Sequence, residues 1–429
     1  MKQKIILLTF LLITCFSFVL ANSDIKINSK TAVAMDADSS IILYNKDMNK
    51  QIYPASTTKI LTAILAIENL DLDKIVVVSK TAINIPWDSS SVYLKEGELI
   101  TVIDLLHCLL LNSGNDAANV LAEAVSGDIS SFVKLMNIKA SELGCTSTHF
   151  NNAHGYSDDK HYTTALDMAK IFRYCIQNET FLQIISTKSY VVEKTNKTNE
   201  KRYLKNTNRL ILKKEDSVHA RYYEYCIGGK TGYTDEAGRT LVTVAEKDGK
   251  TVIVTIFGAT SSGSLDVRYT DAINLFEYSF NNHSKRTIAK AQDYTFNYIN
   301  INDKLNYSIG LKKDLEVLLK NRCNVSITYS IDIQHNNLKN IDDTNFTEIP
   351  AGTITFNLTS TDGINLNIAE TLYLKNVEKY TPIESQNLLY IIVLIGVVLI
   401  LLVILIIIGT KHSCRKNNNQ ASRKNRRIK

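Results

Sequence analysis

The strongest constraint on this chain is the stretch Pro54-Ala55-Ser56-Thr57-Thr58-Lys59, which runs directly into Ile60-Leu61-Thr62-Ala63-Ile64-Leu65-Ala66-Ile67. These are good helix formers, and the apolar positions are nearly continuous, where a surface helix would carry one apolar stripe. Such a helix has to be covered on most sides, so the surrounding chain must build a core around it. Its head, however, is polar. Ser56 and Lys59 are three residues apart, close to one helical turn, and share a face. A serine hydroxyl is a poor nucleophile until a base takes its proton, and a lysine is such a base only where its surroundings lower its pKa. The same pair also suits an N-capping serine beside a solvated lysine, so the rest of the chain has to decide between chemistry and capping.

The two ends indicate the compartment. Met1-Lys2-Gln3-Lys4 places two positive charges before the apolar run 5–20, which closes on Val19-Leu20-Ala21. This is the anatomy of a secretory signal peptide over 1–21, cleaved after Ala21. At the other end 388–409 is twenty-two residues without a charge, long enough for one membrane-spanning helix. The tail 410–429 carries Lys411, Arg415, Lys416 and five further basic residues with no acidic one, and directly after an apolar span it reads as a cytoplasmic anchor. The expectation is an exported, membrane-anchored protein whose ectodomain faces the cell wall. Of 49 Lys and Arg, two lie in the signal and eight in the tail, which leaves 39 against 43 acidic residues, a net of about −4. The basicity belongs to the anchor, and nothing points to nucleic acid as a partner. Five cysteines remain between signal and tail, widely spaced and without a C-x-x-C, so neither a disulfide framework nor a zinc site is indicated. The spacing of His149, His154, His161 and His219 likewise matches no zinc pattern. No metal and no cofactor is expected.

Residues 22–284 mix strands with helices over a length that allows one large core. Strands are expected at 30–36 and 40–44, joined by a turn at 37–39, and at 74–78. Thr101 caps a helix that stops at Asn112-Ser113-Gly114-Asn115, where a second helix begins at once, a tight corner that displays a hydroxyl and an amide at its tip. Further helices are expected at 130–143, closed by Gly144, and at 163–176. The polar stretch 188–224 reads as exposed ribbon and loop. Strands at 225–232, 239–246 and 250–259, the last two joined at Lys247-Asp248-Gly249, make an antiparallel meander that ends in a helix over 265–280. Residues 285–380 are short alternating segments, a small all-β domain, with a linker before the membrane helix.

Three strings now stand in order: Ser56-Thr57-Thr58-Lys59 on a helix, Ser113-Gly114-Asn115 at a corner and Lys230-Thr231-Gly232 on a strand. S-x-x-K, S-x-N and K-T-G in this order mark the penicilloyl-serine transferases. With 54–61, 111–117, 151–155 and 229–238 added, the chain resembles the serine-type D-Ala-D-Ala carboxypeptidases, the low-molecular-mass penicillin-binding proteins. The resemblance covers about 22–280. It implies a β-lactamase-like transpeptidase domain of α/β (α+β) class, an antiparallel sheet flanked by helices, followed by the β-rich domain and one transmembrane helix. Many members end in an amphipathic helix, so the full span here is a departure that alters the anchor and not the chemistry.

The resemblance also implies roles. Ser56 attacks the penultimate D-Ala carbonyl of a peptidoglycan stem peptide, Lys59 takes its proton and Ser113 passes one to the leaving amine. Asn115 holds the substrate amide or Lys59. Lys230 and Thr231 fix the terminal carboxylate or tune the electrostatics, and Gly232 lets the substrate pair with the strand. The backbone N–H groups of Ser56 and Tyr233 hold the oxyanion. Arg268 is either a carboxylate contact or a surface helix arginine. β-Lactams are the expected covalent inhibitors. Two rivals are weighed. A class A β-lactamase needs a glutamate followed four residues later by asparagine, and no glutamate between the second and third strings has one. A catalytically idle wall-binding protein sits poorly with three intact motifs.

Overall fold

The computed structural model describes residues 25–262, 265–300, 305–334, 338, 349–361, 365–379, 392–401 and 403. The expected signal peptide, the basic tail and much of the expected membrane helix lie outside them. Among the described residues no helix is long and apolar enough to cross a membrane.

Strands β1 (Thr31–Asp36) and β2 (Ile42–Lys46) pair antiparallel across the expected turn. The apolar helix α1 (Lys59–Asn69) is buried from Lys59 to Ala66. It is preceded by a 3-10 turn, Ala55–Thr58, so Ser56 sits in a tighter turn than the α-helix expected of it. Strands β3 (Ile75–Val77) and β4 (Leu99–Thr101) pair on either side of the irregular section that carries Trp87. Helix α2 (Val102–Leu110) starts at Thr101, whose hydroxyl oxygen accepts the Asp104 N–H. Helices α3 (Asn115–Ser126), α4 (Ile129–Glu142) and α5 (Ala165–Cys175) follow.

The stretch expected to be exposed ribbon is more structured than its composition suggests. It is preceded by a short helix α6 (Glu179–Ser186) and contains β5 (Ser189–Val192) paired with β6 (Arg202–Lys205). Asn206, Asn208 and Leu210 to Leu212 within it are buried. The meander is β7 (Cys226–Thr234), β8 (Gly238–Lys247) and β9 (Lys250–Ala259), closed by helix α7 (Val267–Asn282). At the β8–β9 turn Asp248 and Gly249 both have positive φ, 52° and 70°, as a two-residue hairpin turn with the twist of its strands requires.

These strands form one antiparallel sheet in the order β2-β1-β9-β8-β7. The N-terminal β1 docks along β9, from Thr31 opposite Phe257 to Asp36 opposite Val252. Alternate residues then face opposite sides. Val33, Met35, Ile253 and Phe257 join the main core with α1 to α5. Val252, Val254 and Ile256 are also buried, outside that cluster, as are Tyr269, Leu275 and Phe276 of α7. α1 thus lies inside the helical layer, enclosed by its neighbours and the sheet. Cys108, Cys145, Cys175, Cys226 and Cys323 are all unpaired, and only Cys226 is not fully buried.

The chain divides into two compact units. Of the described residues, one holds those up to Ile288 with those in Leu315–Thr328 and Asn357–Ile368, and the other holds those in Ala289–Asp314, in Tyr329–Phe356 and from Ala369 onward. In the second unit the strand Thr295–Asn300 pairs with Leu305–Leu311, which pairs in turn with the end of Asn365–Lys379. No α-helix occurs among the described residues from 289 to 379.

Candidate active site

Ser56 is held by a loop pressed against its turn. Ala55 has φ +49°, a strained conformation for a residue with a Cβ. Gly155, at φ +86°, packs so closely on it that a Cβ there would stand 1.8 Å from the Ala55 carbonyl oxygen. Asn152 Oδ1 accepts the Gly155 N–H at 2.7 Å and fixes that approach. A second brace comes from His161. Its Nδ1 accepts the Asn151 N–H at 3.0 Å, so the ring proton is on Nε2 and is donated to Thr58 Oγ1 at 2.8 Å. Burial pushes the His161 pKa down to about 3, which keeps the ring neutral.

Lys59, fully buried, stands at the centre. Its Nζ lies 2.7 Å from Asn115 Oδ1, 2.6 Å from the His154 carbonyl oxygen and 2.9 Å from Ser56 Oγ. Burial, reinforced by the charge of Lys230 and opposed by Asp116, holds its pKa well below the usual lysine range. In its neutral form, which this shift favours, the amine has two N–H groups and one lone pair. Asn115 Oδ1 and the His154 carbonyl are acceptors only, so they take both N–H groups. The lone pair is left facing the Ser56 hydroxyl, which is the geometry a general base needs.

The corner of α2 and α3 supplies the next group. Ser113 has φ +63°, and its Oγ lies 3.0 Å from Lys230 Nζ, which also donates to the Thr231 carbonyl at 2.9 Å. The Asp116 carboxylate pins the corner to the preceding section by accepting from the Ser91 hydroxyl and from the N–H groups of Val92 and Leu94. Lys230 is itself buried, and burial together with the Arg268 charge brings its pKa down to about 7.

Strand β7 forms the opposite wall. A Cβ on Gly232 would meet Thr240 Oγ1 at 2.4 Å and the Ser56 backbone nitrogen at 2.8 Å. Glycine is needed here for the close approach of the strand to the serine turn, a reason the sequence reading did not identify. Thr231 is buried apart from a small face on the cavity, and Tyr233 is exposed. Arg268 is no surface arginine: it is only 7% exposed. Its Nε and Nη2 reach Asp266 Oδ2 at 3.1 and 3.0 Å, and Nη1 donates to the Gly232 and Thr240 carbonyls. Ser56, Ser113, Asn115, Thr231, Gly232, Tyr233 and Arg268 all line one cavity of about 670 Å³; Lys59 and Lys230 reach it through their serine partners. Every residue singled out from the sequence is therefore brought to one place.

Three contributors were missed. Gly155, the His154 carbonyl and Thr207 all touch the site. Gly155 carried a sequence signal in the Asn151-Asn152-Ala153-His154-Gly155 loop. Thr207 carried none, because it sits in a polar stretch that reads as loop. Its Oγ1 lies 2.7 Å from Thr231 Oγ1.

With this geometry in hand, the comparisons with known proteins are informative. The family description D-alanyl-D-alanine carboxypeptidase matches residues 19–261. The D-alanyl-D-alanine carboxypeptidase DacF of Bacillus subtilis (strain 168) is 34% identical over 278 residues, 63% of this chain and 68% of that protein. Among solved structures, penicillin binding protein 5 from Haemophilus influenzae superposes with a TM-score of 0.62 at 25% identity, over 82% of this chain and 97% of that one. A mutant of the Streptomyces K15 DD-transpeptidase gives a TM-score of 0.54 at 34% identity, over 60% and 99%.

Proposed function

The chain belongs to the D-alanyl-D-alanine carboxypeptidase family, and from that premise we propose how its residues carry out the reaction. The substrate is a peptidoglycan stem peptide ending in D-Ala-D-Ala, and the product is the same peptide shortened by one D-alanine. The observation that carries this reading is the buried Lys59, its pKa held well below the usual lysine range, with Nζ within hydrogen-bond reach of Ser56 Oγ, Asn115 Oδ1 and the His154 carbonyl oxygen.

In the first half-reaction the Ser56 hydroxyl gives its proton to Lys59, and Oγ attacks the carbonyl carbon of the penultimate D-Ala. The backbone N–H groups of Ser56 and Tyr233 receive the oxyanion. Collapse breaks the peptide bond, and the proton that Lys59 took from Ser56 passes through the Ser113 hydroxyl, held by Lys230 Nζ, to the departing D-alanine amine, which leaves Lys59 neutral again. In the second, water attacks the Ser56 ester, Lys59 takes the water proton and hands it to Ser56 Oγ, and the ester bond breaks to restore the hydroxyl and the neutral lysine. Asn115 holds Lys59 in orientation. Thr231 hydrogen-bonds the terminal carboxylate, and Arg268 attracts it by charge. A β-lactam enters the same path at Ser56 and stalls as the acyl-enzyme.

We propose further that residues 1–21 direct export and that 388–409 anchor the protein in the cell membrane, with the basic tail in the cytoplasm and the catalytic unit facing the wall. The chemistry is tested by incubating the purified protein with a pentapeptide ending in D-Ala-D-Ala and measuring free D-alanine. Release is expected, together with stable covalent attachment of labelled penicillin. Ser56→Ala should abolish both. Labelling that survives Ser56→Ala, or rapid turnover of penicillin by the intact protein, would sink the assignment.

A further inference from the structure

Residues 206–208 read Asn-Thr-Asn, and the fold turns the two asparagines inward and the threonine out into the cavity. The Asn206 amide donates to the carbonyls of Ile185 and Thr187 at 3.1 and 2.9 Å, and its Oδ1 accepts the Asn208 N–H at 2.8 Å. The Asn208 amide donates to Thr243 Oγ1 at 3.3 Å, and its Oδ1 accepts the Leu210 N–H at 3.2 Å. The Thr207 carbonyl accepts the Tyr269 hydroxyl at 3.0 Å. The backbone of Thr207 is thus fixed on both sides. Its hydroxyl is presented at a set position, 2.7 Å from that of Thr231.

Arg268 offers the terminal carboxylate little direct hydrogen bonding. A guanidinium has five N–H groups. Nε donates to Asp266 and Nη1 to the backbone carbonyls of Gly232 and Thr240, while Nη2 is ion-paired with Asp266 at 3.0 Å, which leaves only N–H groups of Nη2 for a ligand. Its contribution is charge at a fixed place, and the oriented donor has to come from a hydroxyl. A hydroxyl has one proton and two lone pairs. In the structure Thr231 donates its proton to Thr207. A carboxylate only accepts, so on binding Thr231 turns its proton toward the carboxylate, and Thr207 donates its own into the lone pair that Thr231 exposes. The pair reverses direction without moving a heavy atom, and the chain of donors polarises the bond to the carboxylate. Because charge-assisted bonds are about twice as strong as neutral ones, this device favours a free carboxylate over an amide.

We propose that Thr207 is a positioning residue that orients the Thr231 hydroxyl toward the substrate's terminal carboxylate and thereby sets the preference for a free C-terminus. The inference rests on the proposed D-Ala-D-Ala activity. It is tested by steady-state kinetics of the full chain on a peptide ending in D-Ala-D-Ala and on the same peptide ending in the carboxamide. Thr207→Val, nearly the same shape without the hydroxyl, should raise KM for the acid about tenfold with kcat little changed. It should also reduce the acid-over-amide preference by a similar factor, and Thr207→Ser should restore both. If Thr207→Val does not fold, Thr207→Ala gives the same readout. An unchanged preference in the hydroxyl-free variant overturns the proposal, as does a loss in kcat shared equally by both peptides or a Thr207→Ser no better than valine. Intact protein that releases no D-alanine overturns the proposed function, and this inference with it. Release by the intact protein with indifferent Thr207 variants overturns the inference alone.

Discussion

At the scale of single residues, the site is governed by two lysines buried where lysines are least stable. Lys59 and Lys230 are both fully enclosed; burial lowers the pKa of each, reinforced at Lys59 by the charge of Lys230 and at Lys230 by that of Arg268. Such groups serve the chemistry and oppose folding. The sign can be worked out for Lys230. In the unfolded chain a lysine titrates near 10.5, and in the folded protein at about 7. Between those values the unfolded chain holds a proton that the folded chain lacks, so stability rises with pH across that window. Below about 7 the penalty is fully present, and it vanishes above 10.5. Lys230→Met should therefore stabilise the protein at pH 6 by a few kcal/mol, on the order expected of a shift this large, with less gain at pH 9 and no D-alanine release at either. Denaturant midpoints of both proteins at the two pH values check this; a variant no more stable at pH 6 contradicts it. That these lysines matter was legible from the three strings in order. Their protonation was not, because it depends on how completely segments far apart in sequence exclude water.

At the scale of elements, the serine turn is shaped from outside. The helix α1 was recognisable from its apolar run, but its first turn is 3-10 and not α. Local propensity does not account for this. The loop 151–155 packs against Ala55 and holds Lys59 through the His154 carbonyl, His161 holds Thr58, and β7 passes the Ser56 nitrogen at glycine distance. Gly155→Ala puts a Cβ in a left-handed conformation and into the Ala55 carbonyl. It should destabilise the protein by about 2 kcal/mol or more and slow penicillin acylation at least about tenfold, because the Ser56 hydroxyl leaves the Lys59 lone pair. Thermal unfolding and acylation kinetics test it, and full acylation rate in a folded variant would show that the loop does not shape the turn. The hairpin at Asp248-Gly249 is the opposite case. Its two positive-φ positions were readable from the sequence because a two-residue turn is decided by the residues in it.

At the scale of the whole molecule, long-range pairing decides what local pattern leaves open. Each of β1, β7, β8 and β9 was expected as a strand, yet nothing in their sequences says that β1 docks on β9 some two hundred residues away. The proposed anchor is a whole-molecule property as well. Full-length protein should partition into the membrane fraction and resist alkaline carbonate extraction, and a chain ending at 387 should not. Equal partitioning of the two would remove 388–409 as the anchor. The sequence by itself determined the chemistry at hand: a serine and a lysine one turn apart, a hydroxyl and an amide at a corner, a lysine and a threonine on a strand. It also carried the apolar pattern that obliges α1 to be buried. Only the tertiary structure decided that Lys59 is buried with its pKa lowered, that Arg268 is buried behind Asp266, that Gly232 is there to admit Ser56, and that Thr207 meets Thr231. Side-chain type and near-neighbour spacing are written along the chain, whereas burial, desolvation and contact between distant segments exist only once the sheet and the helical layer have closed around the site.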